Sequence, residues 1–283
     1  MRFAKYHALG NDYLVLETAS VPSAVPIAEL VRAVCDRHLG VGADGVLIEG
    51  AARDGRPSVR IVNPDGSEAE TSGNGARIFA RYLFDRGRVG SEPFEVVTRG
   101  GAVRCEVRDG GRAVFAELGR ASFDSAAIPV AGPHRAVVDE ELEVLGERRR
   151  FTAVTVGNPH CVILVDELSA DLTSRLGPAL ERHPLFPRRI NVQFMRVLGR
   201  HRIAIEIWER GAGRTLASGS SSCAAAAAAV RLGACEGAVT VVMPGGELEV
   251  GVGTDLGVTL LGPVVQVAAG TLADELLHPG GAP

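Results

Sequence analysis

The chain has 283 residues, 46% of them hydrophobic and 23% charged, with a formal net charge of −4. That balance describes a globular protein with core enough for one large or two medium domains, and the slight negative charge gives no footprint for nucleic acid or an anionic membrane as partner. No stretch is long and apolar enough to span a bilayer, the start MRFAKYHALGNDY lacks the apolar core of a signal peptide, and five scattered cysteines without a CxxC pair fit free thiols in a reducing cytosol, not a disulfide framework or a zinc site.

In chain order, YLVLE (13–17) predicts a strand after the turn residues Gly10-Asn11. AELVRAVCDRH (28–38) has helical spacing, and VLIEG (46–50) and VRIV (59–62) return to short strand-like runs. Ser72-Gly73 then opens a helical pattern, GARIFARYLFDRG (75–87), with Gly87 suited to its C-cap. FEVVT (94–98) and AVFAEL (113–118) predict strands, and the first half ends around residues 118–122. The second half brings CVILV (161–165), a helix over SRLGPALERH (174–183), and the apolar runs NVQFM (191–195) and IAIEIW (203–208). Ser218-Gly219 then leads into CAAAAAAVRLG (223–233), closed by Gly233. Its run of alanines joins the best helix former to the smallest side chain, which suits a helix tightly enclosed by strands. HPGGAP at the end reads as a loose tail.

The halves repeat one another. Ser72-Gly73 returns as Ser218-Gly219 after 146 positions, and Gly10-Asn11 returns as Gly157-Asn158 after 147. Asp44 maps onto Asn191, and Asn63 onto Glu209; the last two each lie nine residues before their Ser-Gly. Two copies of one unit could face one substrate from both sides, as moving a proton between the faces of a carbon requires.

A helix N-terminus offers unpaired amides and partial positive charge, which suit a carboxylate. Two such ends would also stabilise charge spreading into it once the adjacent carbon loses a proton. A lone serine there is most simply an N-cap; the matched pair makes Ser72 and Ser218 candidates for the chemistry. Asn11 and Asn158 after glycine, Asn191, and Asp44 in Ala-Asp-Gly also suit plain turns, and Arg210 a surface charge. His160 suits a satisfied, partly buried histidine as well as a site residue.

The segments KYHALGNDY, HLGVGADG, NPDGSEAETSGNGAR, VGNPHCV, HPLFPRRINVQF and WERGAGRTLASG resemble the diaminopimelate epimerase family in order and spacing, over essentially the whole chain. The resemblance implies an α/β fold of two pseudo-symmetric lobes, each a strongly curved mixed or antiparallel sheet wrapped around a central helix. The expected division is 1–118 plus 264–283 against 119–263, with the site in the cleft between them and neither cofactor nor metal. By resemblance Asn11, Asn63, Asn158, Asn191, Glu209 and Arg210 bind substrate, and the internal repeat adds Asp44. The backbone of Gly73-Asn74 and Gly219-Ser220 would hold the carboxylate beside the reacting carbon, while His160 and Glu209 would poise the catalytic pair.

The departure lies at the chemistry. The family pattern has cysteine at positions 72 and 218, where a thiol near pKa ~8.5 can be brought to act as a base. A serine alkoxide is scarcely available without strong activation. Arg214 stands where the family usually has glutamate, and Ser220-Ser221-Ser222 replaces a turn containing Thr-Gly, so the neighbours have diverged with the pair. The main expectation is a cytoplasmic, cofactor-independent isomerase that shifts a proton or double bond in an amino or imino acid. Glu209 or His160 would then take the proton directly or through a serine; the chain looks like the isomerases of alkylproline antibiotic biosynthesis. The alternatives are diaminopimelate epimerisation with serine in place of cysteine, β-elimination, and a catalytically silent amino-acid binder. A small-molecule carboxylate is the expected partner, and a homodimer stays open.

Overall fold

The computed structural model describes residues 1–18, 21 and 25–277, so the tail HPGGAP lies outside the described residues. The chain divides into two compact units, residues 1–116 with 262–283, and residues 117–261.

In the first unit β1 (Arg2–Ala8) and β2 (Asn11–Glu17) form an antiparallel hairpin, with Ala8 opposite Asn11. Its turn needs left-handed backbone at Leu9 (φ 53°) and Gly10 (φ 91°), which places glycine directly before Asn11. Helix α1 (Ile27–Cys35) carries the chain to β3 (Gly45–Arg53), which joins β2 in parallel with Tyr13 opposite Gly45. Strand β4 (Arg56–Val62) runs antiparallel to β3, followed by the short β5 (Glu68–Ala69) and helix α2 (Gly73–Asp85). Strands β6 (Phe94–Thr98), β7 (Gly101–Arg108) and β8 (Ala113–Arg120) complete the series, β6 pairing in parallel with β4. Helix α2 lies against β1, β2 and β7 and buries Ile78, Phe79, Ala80, Tyr82 and Leu83. Helix α1 buries Leu30, Val31 and Val34 in a second cluster with Leu14, Leu16, Val46 and Ile48.

The second unit repeats the order after β9 (Glu140–Val144). β10 (Glu147–Thr155) and β11 (Pro159–Leu164) are antiparallel, and α3 (Ala170–Glu181) leads to β12 (Asn191–Gly199). β12 is parallel to β11, with His160 opposite Asn191. β13 (Arg202–Glu209), β14 (Gly213–Thr215), α4 (Gly219–Arg231), β15 (Ala238–Met243), β16 (Gly246–Val252) and β17 (Gly257–Pro263) follow. β15 pairs in parallel with β13, as β6 does with β4. The last strand, β18 (Val265–Thr271), lies antiparallel to β1 in the first unit.

The fold is therefore mixed α/β, with a large curved sheet and few helices in two lobes. Helices α2 and α4 have 13 residues each and begin 146 positions apart. All four helical patterns in the sequence are helices, and Gly87 and Gly233 follow α2 and α4 with φ of 65° and 71°. Ala224 to Ala229 are each 0% exposed, so α4 is enclosed on every side. Larger side chains there would overpack it, at about 1–3 kcal/mol each. No helix among the described residues is long and apolar enough to cross a membrane.

Candidate active site

At the first helix entrance Ser72 is the N-cap of α2. Its Oγ accepts from the Gly75 amide at 3.0 Å, and its carbonyl accepts from Ala76. The Gly73 and Asn74 amides are thereby left at the helix mouth without an intrahelical acceptor. Tyr13 lies beside the cap, its hydroxyl 3.5 Å from Ser72 Oγ. Asn74 donates to Asn11 Oδ1 (3.0 Å) and accepts from Arg77 Nη2 (2.7 Å). Asn11 donates in turn to Asp44 Oδ2 (3.0 Å), and Arg37 donates to both Asp44 and Asp12.

This network engages two of the residues expected to bind substrate, Asn11 and Asp44. Asp44 accepts from Arg37, Asn11 and the Asp12 amide, so it braces the turn between α1 and β3 instead of presenting a free carboxylate. Asn11 spends its amide between Asp44 and Asn74 and fixes the helix mouth. Burial opposes ionisation of Asp12, but hydrogen bonds from Arg37 and Lys5 outweigh it and hold its carboxyl below the usual range. Asn63, at the end of β4, donates to Ser67 Oγ at 3.0 Å within its own turn.

The second entrance repeats the cap. Ser218 Oγ accepts from the Ser221 amide at 3.4 Å and its carbonyl accepts from Ser222, leaving the Gly219 and Ser220 amides at the mouth. Asn158 donates to Ser220 Oγ at 3.4 Å, the counterpart of the Asn11–Asn74 contact. Asn158 Oδ1 also meets His160 Nε2 at 2.9 Å. Gln193 donates to Ser221 Oγ at 3.0 Å. Asn191 donates to the Pro159 carbonyl (2.9 Å) and accepts from the Arg210 amide (3.0 Å), tying β11 to the turn after β13.

His160 is 0% exposed. Burial, then the positive charge of Arg210, push its imidazole down to about 3 against the opposing influence of the nearby Gln193 amide, so the ring is neutral near neutral pH. The ring is enclosed, with Nε2 facing Asn158. What it can do is orient Asn158. Glu209 is half-buried at the end of β13 and accepts from Thr215 Oγ1 at 3.0 Å across the hairpin. Arg210 is exposed, its guanidinium donating to the Arg188 carbonyl at 3.2 Å.

Sequence reasoning missed Glu181. This carboxylate, 3% exposed at the end of α3, accepts from Trp208 Nε1 (2.7 Å) and the Gly211 amide (3.2 Å), and pairs with Arg189. It grips the chain on both sides of Glu209-Arg210 and sets their turn. The available signal was an acidic residue ending an amphipathic helix ahead of Trp-Glu-Arg. Cys161 and Cys223 are buried, and burial pushes the Cys161 thiol up, out of reach of reactivity. Among the described residues no group of three or more His, Cys, Asp or Glu is placed to hold a metal ion.

Family model and fold together place the chain in the epimerase and isomerase class with a racemase-like fold. The family's sequence model, described as Diaminopimelate epimerase, matches residues 3–123 and 152–267. Diaminopimelate epimerase 2 of Nostoc sp. is 47% identical over 98% of this chain and 97% of its own. The diaminopimelate epimerase of Methanothermobacter thermautotrophicus is 43% identical over 95% and 98%. Solved structures share the fold: a Bacillus anthracis phenazine biosynthesis protein of the PhzF family has a TM-score of 0.70 at 15% identity, covering 96% of this chain and 99% of its own. A hydroxyproline epimerase from Agrobacterium vitis has a TM-score of 0.68 at 17% identity, covering 95% and 91%. The chain belongs to the diaminopimelate epimerase family.

Proposed function

We propose that the chain binds an amino diacid of the diaminopimelate type and exchanges the proton on its α-carbon, using Ser72 and Ser218 where the family pattern has thiols. The observation that carries this reading is the matched pair of helix mouths, each with two outward amides beside a capped serine hydroxyl. The amides of Gly73 and Asn74 in one unit, and of Gly219 and Ser220 in the other, each suit a carboxylate and the charge that enters it on deprotonation. Glu209, Arg210, Asn63 and Asn158 would bind the remaining polar groups. The names of the relatives at 47% and 43% identity support diaminopimelate over the antibiotic-pathway substrate expected from the departures at 72 and 218.

A second reading has its own support. Both serine oxygens already accept a helix amide and His160 is held neutral, so strong bases are scarce at both mouths. A substrate with an already acidified C–H, such as an unsaturated imino acid, would need only a modest base. NMR in deuterated water separates the two. Deuterium entering the α-position of LL-diaminopimelate, with formation of the meso isomer, is the expected result. Exchange confined to imino acids would overturn the first reading in favour of the second, and binding without exchange into either would overturn both.

A further inference from the structure

We propose that Tyr13 is the proton-relay partner of Ser72, acting through the serine hydroxyl without touching the substrate. The inference rests on the proton exchange proposed above.

Three observations carry it. Tyr13 is 7% exposed, and its ring lies over Gly45: a Cβ there would come within 2.7 Å of Tyr13 Cε1. Glycine at 45 therefore makes room for the ring on the neighbouring strand. The phenol oxygen stands 3.5 Å from Ser72 Oγ, and either atom could donate to the other, so a modest approach closes a hydrogen bond in either direction. Finally, the repeat that relates Asn11 to Asn158 relates Tyr13 to His160, so each copy puts a titratable side chain at one strand position beside its helix mouth. In the second copy that side chain orients Asn158; in the first it reaches the serine itself.

The chemistry gives the contact its meaning. A thiol can exchange protons unaided, whereas an aliphatic hydroxyl is both a weak acid and a source of a scarcely available base. A phenol is a far stronger acid than an aliphatic hydroxyl. As Ser72 gives its proton to the carbanion, the Ser72 O–H breaks and the C–H forms, while the Tyr13 O–H breaks and restores the serine. In reverse, the α C–H breaks, its electron pair enters the carboxylate, the proton passes to Ser72 Oγ, and the serine proton passes to the Tyr13 phenolate. Each direction moves one net proton: the first leaves the Tyr13 phenolate from which the second starts, and exchange with solvent water resets the phenol and brings in the deuterium.

The test compares deuterium exchange into LL-diaminopimelate for the natural chain, Y13F, S72C, and S72C with Y13F. Phenylalanine keeps the ring over Gly45, and thermal unfolding checks that the fold survives. Loss of the phenol is expected to lower kcat about 100-fold with KM unchanged, the scale of general acid–base catalysis. With cysteine at 72 the same loss should change kcat by less than about threefold, because a thiol needs no relay. Equal rates for Y13F and the natural chain, or equal losses in both backgrounds, would overturn the relay while leaving the exchange reading intact. Absence of exchange in the natural chain would overturn the exchange reading first, and the relay with it.

Discussion

At position 77 the first helix mouth carries an arginine that is 0% exposed, while the matching position in the second copy is Cys223, a small neutral side chain. The strand position beside each cap diverges as well: Tyr13 reaches Ser72, whereas His160 turns to Asn158 and stays neutral. Both mouths keep the serine cap, the outward amides and the asparagine contact. Duplication has thus preserved the backbone features that can hold a carboxylate and let the side chains specialise. A fixed cation behind the first mouth adds to its helix-end attraction for an anion, while the second relies on amides and hydroxyls.

The largest effect should come from restoring both thiols. S72C with S218C is expected to raise α-proton exchange of diaminopimelate about 10²–10⁴-fold, measured by deuterium incorporation. An unchanged rate would mean that the pocket, as well as the bases, has diverged. S218C alone should gain more than S72C alone, because the first mouth already has a phenol beside its serine.

The next test concerns His160 and pH. Its folded value is about 3, well below the unfolded reference of 6.5. The unfolded chain therefore takes up the proton first, so this contribution to stability is complete above 6.5 and is lost as pH falls towards 3. The slope is on the order of 1 kcal/mol per pH unit across that window. Urea unfolding at several pH values should show it, and H160Q should flatten it. An equally steep slope in H160Q would place the sensitivity elsewhere.

A smaller effect separates the mouths by charge. R77M should raise KM for a carboxylate substrate about tenfold, near 1.4 kcal/mol, while C223S should leave KM within about twofold. Equal shifts would remove the charge asymmetry from substrate binding. The smallest expected effect is on the caps. S72A should cost about 1 kcal/mol in thermal unfolding. S218A should cost less, because its cap bond is 3.4 Å against 3.0 Å. A larger loss from S218A would invert the comparison.

The four helices, the 146-residue repeat and the serines at two helix starts were all legible in the sequence, because each rests on local periodicity or a fixed offset. What escaped was side-chain partnership across long separations. Asn11 was read from the family resemblance and Asp44 from the repeat, with no sign that one donates to the other. Asn74 lies 63 positions from the amide it contacts, and Glu181 lies 27 from the indole it grips. No spacing rule reports such pairs, since they depend on how strands register after the chain has closed. The full enclosure of His160 goes beyond the partly buried histidine that the apolar run Cys161–Val165 suggested, because much of its cover comes from other elements.

The alanines of α4 carry a consequence for motion. Alanine has no rotamer to freeze, so burying Ala224–Ala229 orders the backbone without the side-chain entropy loss that longer residues incur. Warming cannot loosen the second helix mouth by rotamer disorder beneath it; the helix must leave its place as a body. Amide hydrogen exchange through this helix should therefore follow the opening of the whole second unit, making α4 the natural gauge of that unit's cooperativity.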